Sequence, residues 1–234
     1  MHLMKHVINF KMTAPFVYTM KLLKSARKIH STRIKSLLLC AGLLSFSSIA
    51  QADEVPRYTV EMIVFENYAL KGWTEEHWPD EIELPSTEKS TALSTLGKSP
   101  LYIQSRQISL DSVVKKMNKS YRVLFHQAWS QYAYESKDAP KIIIENDRNG
   151  GSQILGTVKL NKTRYAHIEV DLEFERLIPN KIREAFAENQ QLALENLPSH
   201  WRFNLKEARK IKEGELHYID HPLFGVLVQI HKND

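Results

Sequence analysis

A strict alternation between residues 167 and 175 restricts the fold more than any other feature of the sequence. Apolar residues alternate there with acidic residues and one histidine, so an extended chain has one apolar face and one acidic face. Residues 154–160 form a second extended segment, and residues 161–164 connect the two. The pattern predicts an antiparallel β-hairpin with one buried face. The apolar positions are Ile168, Val170, Leu172 and Phe174, and the opposite positions are His167, Glu169, Asp171, Glu173 and Glu175.

The remaining segments predict an α+β fold. Residues 58–65 and 223–230 are almost wholly apolar, whereas residues 121–132 and 203–211 alternate, and each of the four predicts a strand. Ser109 is a suitable N-cap for a helix, because apolar residues recur after it at helical spacing. We therefore expect a mostly antiparallel sheet of about six strands with one clear helix packed on it. The last strand is apolar on both faces, so it is expected to pair on both sides.

Residues 1–52 have the organisation of a secretory signal peptide. They hold eight basic residues and no acidic one, and an apolar run over residues 36–50 follows the last basic residue. This run is shorter than the roughly 20 apolar residues of a spanning helix. The small residues Ala50 and Ala52 then precede the acidic Asp53, which is typical of a cleavage site. We expect cleavage after Ala52 and no stable membrane insertion afterwards; the alternative is an uncleaved anchor.

The mature chain is then residues 53–234, and we expect it to be a single α+β domain with loops near residues 68–100 and 176–200. Met20 is an alternative start, because it begins a leader of more ordinary length. Cys40 does not predict lipid attachment, because a leucine precedes it where lipoproteins have a small residue.

The charge of the mature chain excludes a nucleic-acid partner. Eight of the 32 Lys and Arg residues lie in the leader, whereas all 27 Asp and Glu residues follow it, so residues 53–234 carry a formal charge of −3. Nucleic-acid binding normally needs a basic face that displaces counterions. The sole cysteine also lies in the leader, so the mature chain has no disulfide and is suited to the oxidising periplasm.

No motif predicts catalysis, a metal or a cofactor. His217, Asp220 and His221 have a spacing that holds metals on helices, but Pro222 follows directly and keeps His221 out of the helical region. No serine lies in a nucleophile elbow, and no cysteine nucleophile remains after processing. The acidic face of residues 167–175 is expected to be solvated or paired with neighbouring basic residues, such as Lys206 and Arg209. We therefore expect a protein that is not an enzyme.

The four tryptophans of the mature chain allow two interpretations. Aromatic side chains can bind sugar rings, but a domain without disulfides also needs large residues in its core. Core packing is the favoured interpretation for each tryptophan. Trp73 and Trp78 are the strongest exceptions, because they lie in a polar segment; Trp129 and Trp201 are the other two.

Three segments resemble the CsiV family of periplasmic peptidoglycan-binding proteins of gammaproteobacteria. They are RYTVEMIVFEN (residues 57–67) with Trp78-Pro79 after it, YRVLFHQAWSQ (residues 121–131) and ELHYIDHPLFGVLVQI (residues 215–230). The resemblance implies binding of peptidoglycan. It also implies cooperation with the outer-membrane lipoprotein that activates a bifunctional peptidoglycan synthase. The family carries no catalytic motif that can be transferred to this chain.

These segments place polar and aromatic residues at predicted strand ends, which makes them candidate ligand contacts. The candidates beside Trp73 and Trp78 are His126, Trp129, Tyr218, Asp220 and His221. The competing interpretation is a tight turn in which Asp220 accepts backbone hydrogen bonds. The leading functional hypothesis is a non-enzymatic wall-binding accessory protein. The alternatives are a protein adaptor whose wall association is indirect, which docks its partner through a sheet edge or residues 73–85, and a wall hydrolase or amidase.

Overall fold

The alternating segment lies in the middle of a five-stranded sheet. The computed structural model describes residues 54–93, 109–117, 120–146 and 150–233. The strands among these residues are β1 (Arg57–Asn67), β2 (Ser90–Ala92), β3 (Tyr121–Tyr132), β4 (Lys141–Glu145), β5 (Ser152–Lys162), β6 (Ala166–Leu177), β7 (His200–Ile211), β8 (His217–Asp220) and β9 (Phe224–Lys232). The α-helices there are α1 (Asp111–Met117) and α2 (Arg183–Asn189).

The strands form two sheets, which corrects the expectation of one sheet of about six strands. Sheet A has the order β3-β1-β9-β8, and sheet B has the order β2-β4-β5-β6-β7. All pairs are antiparallel except β2 with β4. The sequence pattern identified buried faces correctly, but it carried no information on whether a face packs on a helix or on a second sheet. The α+β class is confirmed.

The predicted hairpin is confirmed, and its apolar face packs on sheet A. Ile168 is paired with Leu160 and Val170 with Val158, and all four side chains are buried. The inner faces of the two sheets form one hydrophobic core. Phe174 of β6 and Phe224 of β9 meet in this core with 5.0 Å between ring centroids. Burial of such side chains stabilises the fold by about 1.5–3 kcal/mol each.

Sheet A is covered on its inner face by sheet B and on part of its outer face by α1, which explains the continuous apolar runs in its central strands. β9 pairs with both β1 and β8, as its two apolar faces predicted. The even-numbered positions of β1 face sheet B, whereas Ile63 and Phe65 face outward. Helix α1 packs on this outer face through Leu110 and Met117. The predicted helix is therefore confirmed, although it lies on the second side of a sheet rather than over the only core.

The outer face of sheet B is polar and is crossed by a chain segment. Residues 79–85 run over β7, where Glu83 forms an ion pair with Lys206 at 3.0 Å. Glu169 pairs with Lys159 at 2.7 Å, so basic side chains neutralise part of the acidic face. Arg209 was expected to do this as well, but its register opposite Ile168 puts it on the other face, where it binds Glu207.

The segment between β6 and β7 contains more helix than the sequence indicated. Residues 179–198 looked weakly helical at best, yet α2 and two 3-10 turns, Asn180–Ile182 and Leu194–Asn196, lie there. Phe186 of α2 is fully buried, and this contact with the core stabilises a helix of only seven residues. In the part of the chain that the structure describes, no helix is both long and apolar enough to cross a membrane.

Candidate functional site

The seven side chains predicted to contact a ligand lie in three different environments. Trp73 and Trp129 lie in the core. Trp78 and His221 lie together beside β7. The other three, His126, Tyr218 and Asp220, belong to the outer face and edge of sheet A. The cleavage-site residues Ala50, Ala52 and Asp53 lie outside the described residues.

The two core tryptophans offer no surface to a ligand, which corrects their assignment as ligand contacts. Both are 0% exposed. The indole Nε1 of Trp129 donates to Oε1 of Gln131 at 2.7 Å, so its polar atom is satisfied inside the protein. Trp73 packs edge-on against Phe186 and Phe203, with centroid distances of 5.2 and 5.3 Å. A polar sequence around Trp73 did not prevent burial, because the short turn at residues 71–73 inserts the ring into the core.

His126 forms part of a buried network that holds α1 on sheet A. Its Nε2 lies 2.8 Å from Oε1 of Glu61, whose side chain is almost fully buried. The Glu61 carboxylate also accepts hydrogen bonds from the backbone N–H groups of Ser109 and Leu110, at 2.8 and 2.9 Å. Burial raises the pKa of Glu61, but these hydrogen bonds outweigh it and leave the pKa below its ordinary value. The geometry therefore gives His126 a structural partner.

Trp78, which packs in the core and is 7% exposed, and His221 form the floor of an open groove beside β7. Their ring centroids are 5.2 Å apart, and Phe203 meets Trp78 edge-on at 5.1 Å. The indole Nε1 of Trp78 donates to the carbonyl oxygen of Trp73 at 3.2 Å, which fixes the ring. The cavity above them has a volume of about 320 Å³. We call it the Arg202 groove; it is lined by Trp78, Pro79, Glu81, Ile82, Glu83, Arg202, Phe203, Asn204 and His221.

His221 is held neutral by its surroundings. Its ring lies 4.6 Å from that of Phe224, and its Nδ1 accepts a hydrogen bond from the backbone N–H of Leu223 at 3.2 Å. Burial lowers the pKa of His221 to about 4, although the neighbouring Asp220 carboxylate acts in the opposite direction. At neutral pH the groove therefore has an uncharged aromatic floor.

Arg202 supplies the cationic group of the groove, and sequence reasoning missed it. Its Nε lies 3.2 Å from a Glu173 oxygen and 3.1 Å from a Glu175 oxygen, while about half of its side chain stays exposed. Burial raises the pKa of Glu173, Arg202 lowers it and Glu175 raises it, with a net rise. Two further cavities, of about 360 and 250 Å³, also border Arg202. The register that places Arg202 opposite Glu175 was the signal that could have identified it.

The turn between β8 and β9 separates two surfaces. His221 points to the Arg202 groove, whereas Tyr218 and Asp220 lie on the outer side of sheet A, where the Tyr218 hydroxyl donates to the Asp220 carboxylate. The backbone N–H of His221 donates to the carbonyl oxygen of Phe224 at 3.1 Å and closes the turn. The expectation that Asp220 accepts backbone hydrogen bonds here stays a prediction. Pro222 packs so closely that a Cβ at Gly72 would lie 2.8 Å from its carbonyl oxygen.

Residues 33–233 match the model of a family described as "Peptidoglycan-binding protein, CsiV". The chain belongs to the CsiV family. No curated protein and no solved structure matches it. The family's description makes this a member of a peptidoglycan-binding family, which points to the cell envelope.

The segments that resembled the CsiV family form sheet A. Residues 57–67 are β1, residues 121–131 lie in β3, and residues 215–230 contain β8 and most of β9. The added dipeptide Trp78-Pro79 lines the Arg202 groove beside sheet B. The resemblance therefore covers one complete sheet and one side of the groove. Among the described residues no group of three His, Cys, Asp or Glu side chains is arranged to hold a metal ion.

Proposed function

We propose that this protein is a non-enzymatic, periplasmic peptidoglycan-binding accessory protein that contacts the wall through the Arg202 groove. It supports cell-wall synthesis by acting with the lipoprotein activator of a bifunctional peptidoglycan synthase. Membership of the CsiV family supports peptidoglycan as the ligand. The partnership with the activator rests on the family resemblance alone.

The chemistry of the Arg202 groove is the observation that carries the proposal. Its floor is apolar and aromatic, and its rim offers a guanidinium, an amide and carboxylates within one cavity of about 320 Å³. Small-molecule sites in proteins typically combine a concave apolar surface with a few polar groups. Peptidoglycan offers sugar rings for the Trp78 side, and its peptide carboxylates can compete with Glu173 and Glu175 for Arg202. Residues 53–234 carry a formal charge of −3, which provides no long-range attraction to peptide carboxylates, so recognition depends on these local contacts.

A binding role without catalysis is consistent with how the acidic residues are used. Glu169 is paired with Lys159, and Glu173 and Glu175 share Arg202. A glycosidase needs two carboxyl groups at a defined separation on either side of the bond that it cleaves. Here the carboxylates lie along one flat face and already have cationic partners. Release of soluble muropeptides from purified sacculi by the purified protein would contradict this part of the proposal.

The proposed periplasmic location includes release of the chain by cleavage of the leader after Ala52. N-terminal sequencing of the protein recovered from the periplasm is expected to begin at Asp53. The domain boundary of the proposal, residues 53–234, depends on the same result. A mature protein that retains Cys40, or that carries a lipid, would overturn it.

Co-sedimentation of the purified protein with purified sacculi tests the proposed wall contact. We expect the wild-type protein to pellet without any other protein. We expect Arg202→Gln to weaken binding about tenfold, the effect of losing one charged hydrogen bond. Arg164→Gln is the matched control, because Arg164 is an exposed arginine in the turn between β5 and β6 and does not line the groove. Equal binding by both variants would exclude the groove as the contact.

The adaptor function is the second candidate, and the exposed edge of sheet B favours it. β7 pairs with β6 on one side, and no described strand pairs with it on the other. Residues 79–85 cross β7, where the Asn204 amide donates to the carbonyl oxygen of Glu83. An adaptor would pellet with sacculi only after the lipoprotein activator is added. Pelleting of this protein alone would reject that alternative.

A further inference from the structure

Three aromatic side chains form a continuous strip across the outer face of sheet A. Tyr121 of β3 meets Phe65 of β1 edge-on with 5.0 Å between centroids, and Phe65 stacks with Tyr218 of β8 at 6.1 Å. We call these three residues the tyrosine strip. Tyr121 is 36% exposed and Tyr218 is 45% exposed, whereas Phe65 between them is buried. The strip therefore exposes two phenol rings to solvent, and both rings pack on Phe65.

The strip is held rigid by the sheet below it. Gly225 of β9 lies between β1 and β8, and a Cβ there would come within 2.7 Å of both the Phe65 and the Tyr218 rings. Because Gly225 has no side chain, the rings of Phe65 and Tyr218 can lie directly over the backbone of β9 and stack on each other. On the other side, Met117 at the end of α1 packs in the same outer cluster as Phe65. A rigid surface loses little conformational entropy on binding.

The polar groups at the Tyr218 end suit hydroxyl-rich ligands. The Tyr218 hydroxyl donates to Asp220, and burial together with that carboxylate raises the pKa of Tyr218, so the phenol stays neutral. Asp220 is exposed and has further acceptor capacity for hydroxyl or amide N–H groups. Its negative charge disfavours the carboxylates of a peptide. An aromatic surface next to a hydrogen-bond acceptor is the combination that binds sugar rings.

We propose that the tyrosine strip is a second binding surface, separate from the Arg202 groove, and that it takes the glycan chain of the wall as an extended β-1,4-linked amino-sugar chain. Tyr121 and Tyr218 flank the buried Phe65 at centroid distances of 5.0 and 6.1 Å, so the strip offers two separate aromatic contacts to an extended chain. The occupant follows from these two neutral contacts, from the acceptor at Asp220 and from the family's ligand, so the inference rests on the proposed function.

A neutral hexamer of β-1,4-linked N-acetylglucosamine tests the strip without the peptide part of the wall. We expect calorimetric titration of the purified protein with this hexamer to show weak binding. We expect Tyr121→Ala and Tyr218→Ala each to weaken it about tenfold, and Tyr218→Trp to retain it. Tyr165→Ala is the matched control, because Tyr165 is a tyrosine of equal exposure, 44%, at the end of sheet B. Thermal midpoints of all variants establish that they are folded.

The outcomes separate this inference from the proposed function. Wild-type protein that pellets with sacculi but does not bind the hexamer overturns the inference alone. Equal loss in the Tyr165→Ala and Tyr218→Ala variants, or full hexamer binding by the Tyr121→Ala and Tyr218→Ala variants, also overturns it. Wild-type protein that binds neither sacculi nor the hexamer contradicts the proposed function itself. Loss confined to the two strip variants, with rescue by Tyr218→Trp, supports the strip.

Discussion

The interior around Trp129 and the corner at residues 217–224 contain similar residue types in opposite environments. Trp129 is fully enclosed, and its indole N–H is satisfied by Gln131 at 2.7 Å. At the corner, Tyr218 is nearly half exposed and His221 borders an open cavity. Both regions were predicted to contact a ligand because they contain aromatic residues in segments that resemble the CsiV family. Only the corner at residues 217–224 exposes such a side chain to solvent, so the fold decides which of these residues can contact a ligand.

Replacing Trp129 with alanine gives the largest expected effect in this comparison. The change empties a fully buried site and leaves Gln131 without its donor, so the free energy of unfolding is expected to fall by about 3–5 kcal/mol. This is a large part of the roughly 5–15 kcal/mol that stabilises a typical domain. Urea denaturation measures it. Sacculus binding per folded molecule is expected to stay unchanged. A variant that is as stable as the wild type but does not bind sacculi would show that Trp129 contacts the ligand.

His221 is expected to give a pH-dependent effect at the corner. Its ordinary pKa is 6.5 and its folded pKa is about 4, so between these values the unfolded chain binds a proton that the folded chain does not. The stabilisation is complete above pH 6.5 and is lost as the pH falls towards 4, by roughly 3 kcal/mol at most.

Comparison of the wild-type protein with His221→Gln isolates this effect. Glutamine keeps an acceptor for the Leu223 N–H but does not titrate in this range. We expect the difference in free energy of unfolding between the two proteins to shrink as the pH is lowered from 7 to 4. A difference that is constant over this range would show that His221 is not held neutral by burial.

Replacing Asp220 with asparagine has the smallest expected effect on stability. Asparagine keeps an oxygen that can accept the Tyr218 hydrogen bond, and the position is exposed, so the free energy of unfolding is expected to change by less than about 1 kcal/mol. Sacculus binding is expected to fall, because a neutral amide oxygen accepts hydrogen bonds from glycan hydroxyls more weakly than a carboxylate does, while the thermal midpoint stays near that of the wild type. Asp138→Asn, at an exposed turn elsewhere, is the control. Stability and binding that decrease together would make Asp220 a structural residue.

The sequence predicted the local structure of the fold better than its assembly. Strict alternation identified β6 and its partner β5, and apolar content on both faces identified β9 as a strand paired on both sides. The division into two sheets was missed, because periodicity shows which face of a strand is buried and not what buries it. The short strand β4 was missed as well, since five residues give little periodic signal.

The candidate site was predicted in part. Trp78 and His221 were both named from the sequence, and the fold brings their rings together across more than 140 residues of chain. Arg202 was not named, because it lies just before the predicted strand of residues 203–211, where a single arginine gives no functional signal. Only the pairing of β6 with β7, and the passage of residues 79–85 over them, surround it with a cavity.

The sequence by itself determined the α+β class, the faces of the main strands, the charge of residues 53–234 and membership of the CsiV family, because these depend on local pattern and composition. Tertiary structure decided which aromatic residues have surface. Trp73 in a polar segment is buried, whereas Tyr218 in a segment that resembles the family is exposed. The physical reason is that exposure depends on contacts between segments distant in the chain. Such contacts leave no periodic trace in either segment alone.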